Sequence, residues 1–185
     1  MRDLKDFSVL TQPGLHGAGA EHWMTSWEKS FPDFRRVPQA DWEKPDYTVW
    51  GPRLSEEVQR CAHPVVLIAH SAGTSLVMRW SLEQPDSARK VAGAFLVAPS
   101  DRDNFNSPSI RNFGGMILKP LPFPSMVVAS RNDDRVSFER AKLFASSWGS
   151  TFVDGGSNGH LWEDVKLGYW PFGLVCFGQF LASLR

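Results

Sequence analysis

Cysteine is scarce in this chain of 185 residues, and no long apolar run is present. Cys61 and Cys176 are far apart and lack metal-ligand spacing, so the sequence predicts neither a disulfide framework nor a cysteine metal site. Lys+Arg and Asp+Glu both number 20, and this balance argues against nucleic acid or a membrane as a partner. No segment approaches the roughly 18 apolar residues that span a bilayer, and residues 1–6 lack the core of a signal peptide. We therefore expect a cytoplasmic protein.

The composition is that of a globular protein, with 42% hydrophobic and 22% charged residues. The length is sufficient for a large core and predicts a single domain over residues 1–185. Apolar β-branched segments alternate with helical patterns, which favours a three-layer αβα sandwich around a mostly parallel sheet of about six strands. The predicted strands cover residues 7–12, 34–37, 65–69, 91–97, 126–130 and 151–153. The predicted helices cover residues 22–31, 54–61, 72–80, 138–148 and 172–184.

The predicted strand order places the second strand outside the first and the third on the first strand's other side. Such an order creates a switch point between the first and third strands, where ligands bind at the carboxyl ends. The loops at that point are residues 13–21 and residues 70–73. A functional site is therefore expected where these two loops meet.

The turn at residues 70–73 carries the most informative residue, Ser71. An apolar run too short for a helix leads into this serine, and a helical pattern follows it. This is the layout of a nucleophile elbow, in which a sharp strand-to-helix turn lifts a serine oxygen out of the sheet. The flanking residues Ala69 and Gly73 are small, as the close passage of the helix past the strand requires. The alternative is a serine that only caps a helix.

A nucleophilic serine needs a base, and the base needs an acid that orients it. In a fold with such an elbow the order along the chain is Ser…Asp…His. His160 follows the sixth predicted strand in a glycine-rich loop and is the candidate base. Asp133 and Asp134 both follow the fifth strand, and spacing alone does not choose between them; Asp154 is a further candidate. The competing interpretations are an exposed loop histidine and a solvated turn that caps the next helix.

Two backbone amides are predicted to bind the developing oxyanion. They are those of Ala72, directly after the serine, and Leu15, in the loop after the first strand, with His16 as the alternative to Leu15. The glycines of that loop do not form a dinucleotide or phosphate motif. His16, His22 and His70 lack the pairing that a metal site needs, so no metal or other cofactor is expected. His22 is expected to anchor the first helix, and His70 to pack at the sheet edge or shape the pocket.

A set of short motifs, spread over nearly the whole chain, is shared with one known family. They are Pro13-Gly14, His22-Trp23, Asp41-Trp42, Ala69-His70-Ser71-Ala72-Gly73, Ala98-Pro99-Ser100, Pro120-Leu121-Pro122-Phe123-Pro124, Ser130-Arg131-Asn132-Asp133, Phe138-Glu139-Arg140-Ala141, Trp148-Gly149-Ser150, Gly159-His160 and Trp170-Pro171. On these motifs the sequence resembles the small serine hydrolases of the retinoblastoma-binding-protein-9 type, compact members of the α/β-hydrolase fold.

The resemblance implies a catalytic triad of Ser71, Asp133 and His160. The family carries Asn-Asp-Pro-Tyr at the acid, so Asp133 matches the catalytic aspartate and Asp134 replaces the proline. Two further departures, at residues 15–18 and at residues 161–162, lie at the expected pocket rim. We therefore expect substrate choice to differ from that of the relatives.

These observations together predict a reduced α/β-hydrolase fold with no cap domain, because only the loop 100–124 is long enough to overhang the site. Phe105, Phe113, Met116 and Ile117 of that loop are expected to form an apolar wall. The predicted substrate pocket comprises His16, His70, Phe113 and Trp162.

The predicted function is a carboxylesterase that acts on a small-molecule ester or acyl substrate through an acyl-enzyme. Thioesterase, amidase and peptidase activities share that intermediate and stay open. The rival from another class is a binding or regulatory protein that has kept the scaffold, since fold does not guarantee chemistry.

Overall fold

The structure is a computed structural model, and it describes residues 4–104 and 108–184. Six strands form one sheet: β1 (Ser8–Gln12), β2 (Phe34–Arg36), β3 (Val65–His70), β4 (Val91–Val97), β5 (Ser125–Ala129) and β6 (Thr151–Asp154). Their order is β2-β1-β3-β4-β5-β6, and every neighbouring pair is parallel. The predicted position of the first strand, between the second and third, is confirmed.

Helices cover both faces of this sheet. They are α1 (Trp23–Ser30), α2 (Tyr47–Arg60), α3 (Ala72–Glu83), the one-turn α4 (Pro85–Ala88), α5 (Phe138–Trp148) and α6 (Pro171–Ser183). Helices α1 and α6 pack on one face, and α2, α3 and α5 pack on the other. Short 3-10 helices lie at Leu4–Asp6, Pro108–Phe113 and Glu163–Val165. The predicted three-layer sandwich is therefore confirmed, and within the described ranges no helix is long and apolar enough to cross a bilayer.

The strand sequences explain the two cores. All six residues of β3 are buried, as expected for a central strand of a parallel sheet covered on both faces. Side chains alternate along a strand, so Leu67 lies in the core under α2, α3 and α5, while Val66 and Ile68 lie in the core under α1 and α6. This alternation holds β3 rigid up to its carboxyl end, where Ser71 follows.

The sequence placed the start of α2 too late. The sequence predicts a helix over residues 54–61, but α2 begins at Tyr47 and continues through Pro52. Asp46 caps this helix by accepting a hydrogen bond from the Thr48 amide at 2.8 Å, and Trp50 is buried on its inner face. The cap and the buried indole compensate for the hydrogen bond that the proline cannot donate.

The expectation that Phe113 of the loop 100–124 forms part of an apolar wall over the site is wrong. Phe113 is fully buried and packs edge-on against Tyr47 and Trp50 of α2. Met116 and Ile117 are half-buried against the same core, and Phe105 lies outside the described residues. Phe113 therefore belongs to the packing under the loop and does not line the pocket. Its burial secures the loop to the domain.

Candidate active site

The turn between β3 and α3 has the backbone of a nucleophile elbow. Ser71 has φ 56° and ψ −125°, a positive φ that non-glycine residues rarely adopt. Its amide donates to the Val97 carbonyl at 3.0 Å, which fixes the turn to β4. A Cβ at Gly73 would collide with the Gln12 carbonyl oxygen, so only glycine fits where α3 leaves past the end of β1.

Three predicted side chains, distant along the chain, meet at the carboxyl end of the sheet. His160 Nε2 lies 2.8 Å from Ser71 Oγ, and His160 Nδ1 lies 2.8 Å from Asp133 Oδ2. The side chains of His160 and Asp133 are 4% and 0% exposed. A carboxylate can only accept, so Nδ1 carries the proton and Nε2 accepts the hydrogen bond from the Ser71 hydroxyl. This arrangement can take a proton from the serine.

The other two acid candidates do not reach the histidine. The Asp134 side chain is 79% exposed, with the Arg135 guanidinium 3.7 Å away. The Asp154 carboxylate accepts a hydrogen bond from Arg131 Nε at 2.8 Å. The structure thus separates two adjacent aspartates that spacing alone left equivalent.

Polar side chains of the acid loop hold the histidine loop in place. Ser130 Oγ accepts a hydrogen bond from the Asn158 amide at 2.8 Å, and Asn132 Oδ1 accepts one from the Gly159 amide at 2.8 Å. Ser130 Oγ also donates to Asn132 Oδ1 at 2.9 Å, so the two acceptors support each other. Sequence reasoning gave neither residue a role. The available signal was their position directly before Asp133.

The two predicted oxyanion donors lie beside each other in space. Ala72 is the first residue of α3, where amides have no intrahelical acceptor. A Cβ at Gly14 would lie 2.8 Å from the Ala72 nitrogen, so the loop after β1 packs directly on the elbow. The His16 amide donates to the Trp42 carbonyl at 2.9 Å, whereas the Leu15 amide has no hydrogen-bond partner among the described residues. Leu15 is therefore the better candidate of the two.

Comparisons with known proteins identify the family of this chain. Residues 9–179 match the family model described as serine hydrolase. The chain belongs to the serine hydrolase family. A protein described as a YdeN-like hydrolase, from Pectobacterium atrosepticum, is 31% identical, with a TM-score of 0.84 over 95% of this chain and 91% of that one.

Two more distant structures share the fold of this serine hydrolase. The ydeN gene product of B. subtilis is 18% identical, with a TM-score of 0.75 over 95% of this chain and 98% of that one. Est1E from Butyrivibrio proteoclasticus, bound to ferulic acid, is 11% identical, with a TM-score of 0.67 over 94% and 89%. No curated protein matches the sequence. At these identities the two structures indicate the α/β-hydrolase fold alone.

Two buried histidines, His70 and His22, pack behind the candidate active site of the hydrolase. His70 is 2% exposed, and its Nε2 donates to the His160 carbonyl at 2.9 Å. Of the two roles expected of His70, packing and shaping the pocket, the buried ring fits packing, because it lies against the backbone of the candidate base. Its ring contacts that of His22, with centroids 5.0 Å apart. His22 Nδ1 accepts from the Met24 amide at 3.1 Å and caps α1, as expected of an anchor.

Burial keeps these histidines neutral. Desolvation, with smaller contributions from the positive charges of Arg36 and His160, lowers the pKa of His22 from 6.5 to about 3. Burial likewise lowers the pKa of His70 well below its ordinary value, and the neighbouring His22 and His160 act in the same direction. Between pH 6.5 and 3 these histidines are therefore protonated in the unfolded chain but not in the folded chain, so the free energy of unfolding falls as the pH falls.

We expect the His22→Asn variant to be less acid-sensitive than the wild type. Asparagine supplies a side-chain oxygen as the capping acceptor for α1 in place of His22 Nδ1, and it removes the titrating group. Between pH 7 and pH 5, the free energy of unfolding of the variant should fall by about 2 kcal/mol less than that of the wild type. Urea titrations at both pH values measure this, and the pH 7 pair gives the cost of the substitution itself. Equal losses in both proteins would contradict the prediction.

Side-chain contacts join the loops after β1 and β6. The His16 and Trp162 rings stack with centroids 5.8 Å apart, and His16 Nδ1 lies 2.6 Å from Glu43 Oε2. The Arg135 guanidinium carbon lies 5.3 Å from the Trp162 ring centroid. Two of the four predicted pocket residues, His16 and Trp162, thus contact each other, and their role in a substrate pocket stays a prediction. Across residues 4–104 and 108–184, no group of three or more His, Cys, Asp or Glu side chains could hold a metal ion.

Proposed function

We propose that this serine hydrolase is a carboxylesterase that acts on small esters through an acyl-enzyme on Ser71. The observation that carries the proposal is the 2.8 Å separation between His160 Nε2 and Ser71 Oγ, with the Asp133 carboxylate on the other ring nitrogen. A serine hydroxyl is a weak nucleophile until a positioned base removes its proton. Here the base is already in hydrogen-bond contact and in the required tautomer.

The reaction then has two halves. Ser71 Oγ attacks the ester carbonyl carbon while its proton passes to His160 Nε2, and the imidazolium gives that proton to the departing alcohol. Water next loses a proton to His160, adds to the acyl carbon and releases the acid and Ser71. Asp133 stabilises the imidazolium, and the Leu15 and Ala72 amides bind the oxyanion in both halves.

Two measurements on the intact protein test this proposal. A panel of p-nitrophenyl esters from acetyl to octanoyl should be turned over, with a preference for some acyl length. A fluorophosphonate probe should add one phosphonate per chain, on the peptide that carries Ser71. The control is Ser75→Ala, which removes a buried hydroxyl one turn along α3 that has no partner among the described residues. That variant should label fully, and Ser71→Ala should not label at all.

The outcomes separate the rival functions. Faster turnover of a matched thioester or anilide than of the ester would favour a thioesterase or an amidase with the same mechanism. Labelling that persists in Ser71→Ala would remove Ser71 as the nucleophile. No turnover at any acyl length, together with no labelling, would favour a binding or regulatory protein on a hydrolase scaffold.

A further inference from the structure

A second serine touches the candidate nucleophile. Ser100 follows β4 after Ala98 and Pro99, is 2% exposed, and its Oγ lies 3.0 Å from Ser71 Oγ. The mechanism above gives this hydroxyl no role. It is nevertheless a polar group in contact with the reacting atom.

The proton inventory fixes the direction of this hydrogen bond. A neutral imidazole is the form that acts as a base, and with its one proton on Nδ1 facing Asp133, Nε2 has no proton and accepts the one from Ser71. Ser71 has a single hydroxyl proton, and it donates that proton in its hydrogen bond to the histidine. The proton between the two serine oxygens must therefore belong to Ser100, which donates to Ser71 Oγ.

The surrounding contacts hold Ser100 firmly. The Ala98 amide donates to the Val128 carbonyl at 2.9 Å, which ties the preceding residue to β5. The Asp101 carboxylate accepts two hydrogen bonds from Arg140 of α5, at 2.7 and 2.8 Å. Burial would raise the pKa of Asp101, but hydrogen bonds from Arg140 and Asn104 outweigh it and lower the pKa. The donor is thus preorganised from both sides, as electrostatic stabilisation requires.

We propose that Ser100 is a catalytic residue whose hydroxyl stabilises Ser71 Oγ as the leaving group when the acyl-enzyme is hydrolysed. The inference rests on the proposed function. When the adduct of water and acyl-enzyme collapses, the C–Oγ bond breaks and its electron pair stays on Oγ, while the imidazolium proton moves to that oxygen. Ser100 donates to Oγ as the charge grows and keeps its own proton throughout.

The effect is confined to the second half of the reaction. Before acylation the Ser100 hydrogen bond already exists, so the attack gains little from it. In the acyl-enzyme Oγ is an ester oxygen and a poor acceptor, so the hydrogen bond is regained only as the bond to carbon breaks. Interactions that strengthen only in a transition state accelerate that step.

Stopped-flow kinetics of p-nitrophenyl acetate hydrolysis test the inference with Ser100→Ala. Acyl-enzyme hydrolysis, measured after the burst and by mass spectrometry of trapped acyl-enzyme, should slow about tenfold. The burst rate and kcat/KM should stay within about threefold of wild type, so KM falls with kcat. Ser100→Thr, which restores a hydroxyl, should recover part of the loss.

The matched control is Ser125→Ala, which breaks another serine pair at the amino end of β5, with Oγ atoms 2.6 Å apart. It should leave both rates unchanged. Equal losses in burst rate and hydrolysis rate for Ser100→Ala would indicate a general structural role and overturn the inference, as would no loss in either. If the proposed function fails, the wild type itself shows no burst and no acylated Ser71, so the two failures are distinguishable.

Discussion

Replacing Asp133 with asparagine is expected to lower kcat for ester hydrolysis about 10⁴-fold while leaving the fold intact. Asp133 Oδ1 accepts the Arg135 amide at 2.8 Å and lies 2.9 Å from His160 Nδ1, and Oδ2 lies 2.8 Å from the same ring nitrogen. An asparagine would keep its carbonyl oxygen on the Arg135 amide, so its NH₂ group would take the Oδ2 position, the nearer of the two to Nδ1. That ring nitrogen must then accept, which moves the histidine proton to Nε2. His160 in that tautomer cannot take the proton of Ser71.

The neighbouring residue supplies the control for this prediction. Asp134→Asn removes the same charge one position along the chain, but its side chain is exposed and does not contact His160. We expect it to change kcat by no more than a few-fold. Steady-state kinetics with p-nitrophenyl esters, supported by thermal unfolding of both variants, measure the difference. A variant at position 133 that retains a tenth of the activity, beside a strongly impaired variant at position 134, would reverse the assignment of the acid.

The strands were the most predictable part of the fold. The central strands β3, β4 and β5 are short and almost wholly apolar, and such segments are typical of a parallel sheet that is covered on both faces. α5 also matches its predicted bounds, because Ser137 caps it and Gly149 ends it in the left-handed region. Local signals were sufficient wherever they agreed with the tertiary packing.

The failures occurred where tertiary contacts outweighed local signals. The helix was predicted to begin only at residue 54, after Pro52, but the burial of Trp50 and Leu54 on one helix face favours a continuous α2. Phe113 was placed at the pocket because its loop was expected to overhang the site. The structure uses that side chain to fasten the loop to the core. Composition and spacing contain no information on which aromatic residue of a long loop turns inward.

The candidate site likewise contains residues that the sequence predicts and residues that it does not. Ser71 and His160 were predictable because the elbow and the glycine-rich loop are local patterns whose chain order is fixed by the fold. The adjacent aspartates Asp133 and Asp134 needed coordinates, or a resemblance, to be distinguished. Ser100 lies in one of the shared motifs, but that motif gave it no role, since its contact with Ser71 depends on the register of β4 beside β3. Residues that reach the site from neighbouring strands are therefore the ones that sequence patterns do not predict.

The largest effect on folding is expected from Gly73→Ala. A Cβ at this position would collide with the Gln12 carbonyl oxygen and lie 2.8 Å from that of Pro13, and both are backbone atoms that cannot rotate away. α3 would have to move off the end of β1, at a cost of about 3 kcal/mol or more in the free energy of unfolding.

A second helical glycine separates this steric cost from the intrinsic effect of adding a methyl group. Gly178 of α6 is exposed, and a Cβ there would meet nothing within 4 Å. Gly178→Ala should therefore gain about 0.5–1 kcal/mol, because alanine loses less backbone entropy on entering a helix. Urea unfolding measures both changes. Similar stabilities for the two variants would show that the elbow can open without cost, and the close approach of helix and strand would no longer explain why this turn carries glycine two residues after the serine.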